Sequence, residues 1–273
     1  MVKGGRSTPF SLTPTSSGPS RGTEKPRLRV RAVARREADL PLPRRLVSEF
    51  LGSSLLVSVV VGSGIAAAQL SPNDVGLQLL ENSIATTLGL AVLVLLFGPV
   101  SGAHFNPVVS AVDWLLGRSA KAGLSLQEVL AYSIFQIIGG VCGALLANLM
   151  FDRQVLELST KNRLTGGHFV AEVVATAGLI ALIFALARTG RAAQSAAAVG
   201  AYIGAAYWFT SSTSFANPAV TVGRAFSDTF AGIAPSSIPA FVAAQAIGGL
   251  AGLAVVVVLY PLTATTPIAQ DGN

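Results

Sequence analysis

Two Asn-Pro pairs, Asn106-Pro107 and Asn217-Pro218, stand 111 residues apart, each followed by a short apolar run. Asn caps helix N-termini well, and Pro suits the first helical position, where its missing N–H would have no partner and its φ is already helical. Both pairs therefore predict helix starts. Such a start presents roughly half a positive charge. The Asn amides can donate to a passing oxygen while their carbonyls cap the helix. Backbone carbonyls of the residues leading in, Ser101-Gly102-Ala103-His104 and Ser214-Phe215-Ala216, offer acceptors. This equipment suits passage in single file of small neutral molecules that hydrogen-bond, with cations repelled.

The elements that must position these groups are helices in a membrane. Of the 273 residues, 51% are hydrophobic and 12% charged, far from the roughly 25% charged fraction of a soluble domain. Apolar runs near residues 45 to 68, 80 to 98, 126 to 150, 168 to 188, 194 to 211 and 237 to 260 predict six spans. Two further runs, 106 to 117 and 217 to 228, are too short to cross, and predict half-spanning helices that enter and leave on one side. Irregular backbone before each Asn can lie at membrane depth only in a water-filled cavity or within protein.

The chain also repeats. Glu49 and Glu172 open the first and fourth runs, and Gln136-Ile-Ile-Gly-Gly-Val-Cys-Gly143 matches Gln245-Ala-Ile-Gly-Gly-Leu-Ala-Gly252 at every small position. Three spans per half force the second copy to insert upside down. The expected organisation is a basic tail over 1–44, a channel domain over 45–262 with halves at about 45–150 and 167–262, and a short tail over 263–273.

Charge sets the expected orientation. Residues 1 to 48 hold eleven basic against three acidic side chains, so the basicity sits in a Ser-, Pro- and Gly-rich tail read as disordered. That distribution argues against a nucleic-acid partner. Both termini are expected in the cytoplasm, with fifteen Lys/Arg inside and four outside, a bias carried mostly by the tail. The tail either signals topology or binds anionic lipid. One Cys and two His cannot build a metal cage of the usual size, so no metal or other cofactor is implied.

The segments Ser101-Gly-Ala-His-Phe-Asn-Pro-Val-Val-Ser110 and Asn217-Pro-Ala-Val-Thr-Val-Gly223 resemble the paired signature motifs of the aquaporin family, over about residues 45 to 262. The resemblance implies an all-α hourglass of six transmembrane helices and two re-entrant half-helices, a pore in each monomer, a homotetramer in the plasma membrane, and no enzymatic activity. Carried over by position, Asn106, Pro107, Val108, Asn217, Pro218 and Ala219 form the central motifs. His104 lines the pore or packs beside it. Glu49 and Glu172 either relay protons or hold the re-entrant loops, the reading the family favours, and Gln136 and Gln245 brace them.

One departure bears on the solute. Water-selective members of that family carry Arg three residues after the second Asn, where this chain has Val220. The remaining filter positions fall at Thr86 or Thr87, Ala205 or Ala206, and Ser214. This small set predicts a wide, weakly polar constriction that passes solutes larger than water. Arg224, one turn beyond Val220, is expected as a charge in the outer vestibule. The Asn-Pro-Val-Val-Ser and Asn-Pro-Ala-Val-Thr pair resembles a bacterial subgroup associated with passage of metalloids such as arsenous acid. The expected function is passive conduction of water and small uncharged solutes, among them glycerol, hydrogen peroxide and arsenous acid. An ion-coupled secondary transporter is the alternative, since it also uses inverted repeats and intramembrane carboxylates. A hydrolase built on Ser63 with His104 or His168 lacks a nucleophile context.

Overall fold

The computed structural model describes Met1, residues 40–118 and residues 122–261. The tail readings concern residues that lie, apart from Met1 and a few at the tail's end, outside this set. Eight α-helices are present among the described residues: α1 Leu42–Leu70, α2 Val75–Ser101, α3 Pro107–Gly117, α4 Leu126–Met150, α5 Gly166–Arg188, α6 Ser195–Phe209, α7 Pro218–Gly223 and α8 Ile238–Leu259.

Local chemistry explains the boundaries. Asp74 caps α2, accepting from Leu77 N at 2.9 Å, which starts that helix five residues before the expected boundary. Gly102, at φ 85°, ends it in the left-handed region that Gly enters without strain. Ser125 and Glu128 close a reciprocal capping box at the start of α4. Asn106 and Asn217 cap α3 and α7, with Pro at the first helical position of each.

Among the described residues five helices are long and apolar enough to cross a membrane, and the span expected near 194 to 211 is the shorter α6, 15 residues with a rise of about 22 Å. A 3₁₀ turn, Ala192–Gln194, precedes it. The second half-helix is also shorter than 217 to 228. After Gly223 it tightens into a 3₁₀ turn, Arg224–Phe226, as the Arg224 side chain reaches Ala231 O.

The packing repeats between halves. Helix α1 lies along α4, and α5 along α8. Backbone approach is closest at glycines: a Cβ on Gly139 or Gly143 would lie 2.4 or 2.1 Å from the carbonyl oxygens of Phe50 and Ser54. In the other half, Gly248 and Gly252 stand in the same relation to Val173 O and Ala177 O, both at 2.5 Å. Small residues four apart permit this approach where no hydrophobic effect drives helices together. The half-helices pack across the halves, α7 against α4 and α3 against α8.

Candidate functional site

At the centre, each Asn side chain does two things. Asn106 Oδ1 accepts from Val108 N at 2.9 Å, and Asn217 Oδ1 from Ala219 N and Val220 N at 2.9 and 3.3 Å. Asn106 Nδ2 then donates to Ala216 O at 2.8 Å, while Asn217 Nδ2 donates to Phe105 O at 2.7 Å. These reciprocal bonds bring the two helix N-termini face to face, as an inverted repeat requires. An amide carries two N–H donors, so each Asn retains one beyond its cross-link.

The loops leading in are strained in the same places. Ala103 and Phe105 in one, Ser214 and Ala216 in the other, have φ near +50°, at three and one residues before each Asn. Each non-Gly residue so placed costs on the order of 1–2 kcal/mol. The glutamates offset this. Glu49 accepts from Ser101 Oγ (2.6 Å), His104 N (3.0 Å), Phe105 N (2.7 Å) and Gln136 Nε2 (2.7 Å). Glu172 accepts from Ser212 Oγ (2.6 Å), Phe215 N (2.9 Å), Ala216 N (2.8 Å) and Gln245 Nε2 (2.7 Å). Both glutamates are fully buried. The two glutamines also donate to Ser110 Oγ and Thr221 Oγ1, one turn into the half-helices.

His104 is half-buried, with Nδ1 3.0 Å from Ser110 Oγ and its ring edge-on to Tyr132 at 5.6 Å. Ser63 bonds to Val59 O and Asn82, and His168 to Arg163 O, so no Ser–His pair forms from these residues.

Val108 fills the space left by a glycine. A Cβ on Gly249 would lie 2.5 Å from Val108 Cγ1, and Val108 packs in a cluster with Ile180, Phe184 and Val256. In the other half Ala219 occupies the matching place, against Gly140. Val108→Ala should therefore act on stability, lowering it by about 1–2 kcal/mol through the lost methyls and the gap left behind. Thermal denaturation, compared with the water-to-glycerol flux ratio, checks this; a changed ratio at unchanged stability would contradict it.

The residues expected at the filter do not all face inward. Thr86 is buried, with Oγ1 3.1 Å from Tyr207 Oη. Ser214 and Val220 are buried, and Val220 shares the main core cluster with Phe215 and Tyr207. Ala205 is the exception: it lies with Ala197, Ala201 and Trp208 on an exposed outer stripe of α6. The opposite stripe, Val199, Ile203 and Ala206, is buried against the interior, so Ala206 takes the inner position. Arg224 also departs from expectation. It is 2% exposed, with its guanidinium carbon 3.5 Å from the centre of the Phe215 ring.

Ser212 and Tyr207 join these networks without a strong sequence signal, and the hydroxyls of Ser101, Ser110 and Thr221 do so from inside the motifs, where the sequence assigns them no role. Ser101 and Ser212 could have been found from the repeat, since each lies five residues before its Asn.

The family model for the major intrinsic protein matches residues 37–214. Aquaglyceroporin AqpS of Rhizobium meliloti (strain 1021) is 49% identical over 216 residues, 79% of this chain and 90% of that protein. Aquaporin Z of Photorhabdus laumondii is 31% identical over 55% of this chain and 67% of its own length. The X-ray structure of the aquaglyceroporin from Plasmodium falciparum superposes with a TM-score of 0.61 at 18% identity, covering 79% of this chain and 96% of that one, a likeness of fold. With paired Asn-capped half-helices, the repeated glutamate braces and these matches together, the chain belongs to the major intrinsic protein family.

Proposed function

We infer that this chain is a passive membrane channel for water and small uncharged solutes. The observation that carries the reading is the meeting of the two Asn-capped half-helices through reciprocal amide–carbonyl bonds. Each Asn keeps one donor for a passing oxygen, and both helix N-termini oppose a cation at that point.

The finer reading is that the constriction beside the second half-helix is formed by Thr86, Ala206, Ser214 and Val220, and is wider than a water-selective one. Its cargo would include glycerol, hydrogen peroxide and arsenous acid. The identity to a protein named an aquaglyceroporin supports solutes of that size. His104, beside Ser110, lines the opposite side. The channel is a homotetramer of the plasma membrane with the basic tail in the cytoplasm. The large apolar side chains exposed along α2, among them Leu88, Val92 and Leu95, suit contact with lipid or neighbouring copies.

Ion-coupled transport finds less support. A carboxylate has about four lone-pair sites, and each glutamate already receives four donors, leaving no site for a coupling ion or proton.

Purified protein in liposomes, followed by light scattering under gradients of water, glycerol and arsenous acid, tests the channel. Permeation above empty liposomes for at least one is expected; none for any would overturn it, and accumulation against a gradient would favour a transporter. In the same assay Val220→Arg should reduce glycerol and arsenous acid flux about tenfold more than water flux, the size of one lost filter fit worth about 1.4 kcal/mol. Equal changes for all three would remove Val220 from the filter.

A further inference from the structure

Three cations converge on one loop. The carbonyls of the consecutive residues Phe230, Ala231 and Gly232 accept from Lys161 Nζ at 2.9 Å, Arg224 Nε at 2.5 Å and Arg163 Nε at 2.8 Å. Arg163 Nη2 also reaches Phe230 O at 3.2 Å. Both guanidinium groups share one aromatic ring, that of Phe215, with Arg163 at 5.2 Å and Arg224 at 3.5 Å from its centre. Arg224 and Arg163 are buried, yet the ion pairs among the described residues, Arg45–Glu128 and Arg153–Glu157, include neither.

Burying a cation with no carboxylate in contact is unfavourable in a medium of low dielectric, and the nearby buried Glu172 offsets this only in part. The loop cations register the strain. Arg163 is pushed down to about 9, first by burial and then by the Arg224 charge, with Tyr207 and Glu172 offsetting part of the effect; the more exposed Lys161 is pushed down to about 8 by partial burial and then by both guanidinium charges, with Asp228 offsetting part. Such charges persist where their remaining donors meet water. A guanidinium has five donors, and Nε of Arg224 is the one with a protein acceptor among the described residues. The ring they share is that of the residue directly before Ala216 and Asn217 in the re-entrant segment. If that segment lines the pore, as the channel reading has it, the donors of these guanidinium groups that lack a protein acceptor face the water of its mouth.

Resting on the channel reading, we propose that Arg224 and Arg163 form a paired-guanidinium constriction at this mouth, which repels cations and donates to the oxygens of neutral solutes. The absence of Arg at position 220 then removes bulk from the filter without removing its positive charge. Width is set by Val220, and the field by two arginines that arrive from the end of the half-helix and from the loop before α5.

The test compares a small cation with a neutral solute through one preparation. Full-length protein in liposomes is assayed for methylammonium and glycerol flux, as wild type and as Arg224→Met, Arg163→Met and Arg224→Lys. Methionine keeps an apolar stem on Phe215 and removes the charge. In wild type, methylammonium should stay at the empty-liposome level while glycerol passes. The methylammonium-to-glycerol ratio should rise about tenfold or more in each Met variant, as expected for removing a unit charge roughly 8 Å from the solute at an effective dielectric of about 20. Arg224→Lys should hold the wild-type ratio. An unchanged ratio in both Met variants overturns the proposal, as does an equal rise in Arg224→Lys, which would assign Arg224 to packing. If Arg224→Met is not recovered as a monodisperse protein, Arg163→Met decides by the same ratio. Wild type that passes no neutral solute is a separate result and sinks the channel reading itself.

Discussion

Glu172→Ala is expected to prevent recovery of a stably folded channel. The carboxylate accepts from Ser212, Phe215, Ala216 and Gln245 in a site closed to solvent. Hydrogen bonds to a charged group contribute about 1.5–3 kcal/mol each, so the loss is roughly 6 kcal/mol or more. Alanine also leaves buried donors unpaired, and the backbone of Ser214 and Ala216 is then held at positive φ with nothing to offset its strain. The midpoint of thermal denaturation should fall by about 10 °C or more, judged from the usual few degrees per kcal/mol for a chain of this size. Cys142, half-buried on α4, is the chain's one thiol and can report unfolding through a thiol-reactive dye. Glu172→Gln should fall between, because one carbonyl oxygen remains while the new NH₂ faces donors. Glu49→Ala should resemble Glu172→Ala, since its four partners match. A wild-type midpoint for Glu172→Ala would show that the loop conformation holds without the carboxylate.

The second large effect is expected from Gly143→Val. A Cβ there would lie 2.1 Å from Ser54 O and 2.9 Å from Ser54 C, so the obstacle is the backbone of α1, which cannot rotate away as a side chain would. The helices must separate, and the loss should reach or exceed the 1–3 kcal/mol usual for overpacking. Gly98 supplies the comparison, because a Cβ there meets nothing within 4 Å. Gly98→Ala should be neutral or stabilising by up to about 1 kcal/mol, through the greater helix propensity of Ala. Denaturation midpoints of the two variants, measured side by side, check the argument. If both fall equally, the close approach of α1 and α4 is not what Gly143 provides.

Much of the fold follows from features that a sequence displays directly. The long apolar runs announce most of the spans, the Asn-Pro pairs announce helix starts, and Glu49 with Gln136 repeats as Glu172 with Gln245. Three things do not show in this way. The positive φ of Ala103, Phe105, Ser214 and Ala216 belongs to residue types that carry no turn signal, and it is imposed by distant carboxylates. The choice between Ala205 and Ala206 depends on helical phase, and α6 is apolar on every side, so no polar stripe marks its outer face. Burial of Arg224 depends on a loop, Phe230 to Gly232, that folds back after the half-helix; from spacing alone, a cation after a short helix reads as exposed.

The crossed bonds of Asn106 and Asn217 also set the order in which the molecule can be made. The acceptor for Asn106 lies 110 residues further along the chain, and the donor for Phe105 O lies 112 residues along. At a synthesis rate of roughly 5–20 residues per second, the first half waits on the order of 5–20 s for its partners. During that interval a strained loop with unpaired polar groups must be kept from lipid by water or by the insertion machinery. The first half thus enters the membrane unfinished, and synthesis of the second half completes its centre.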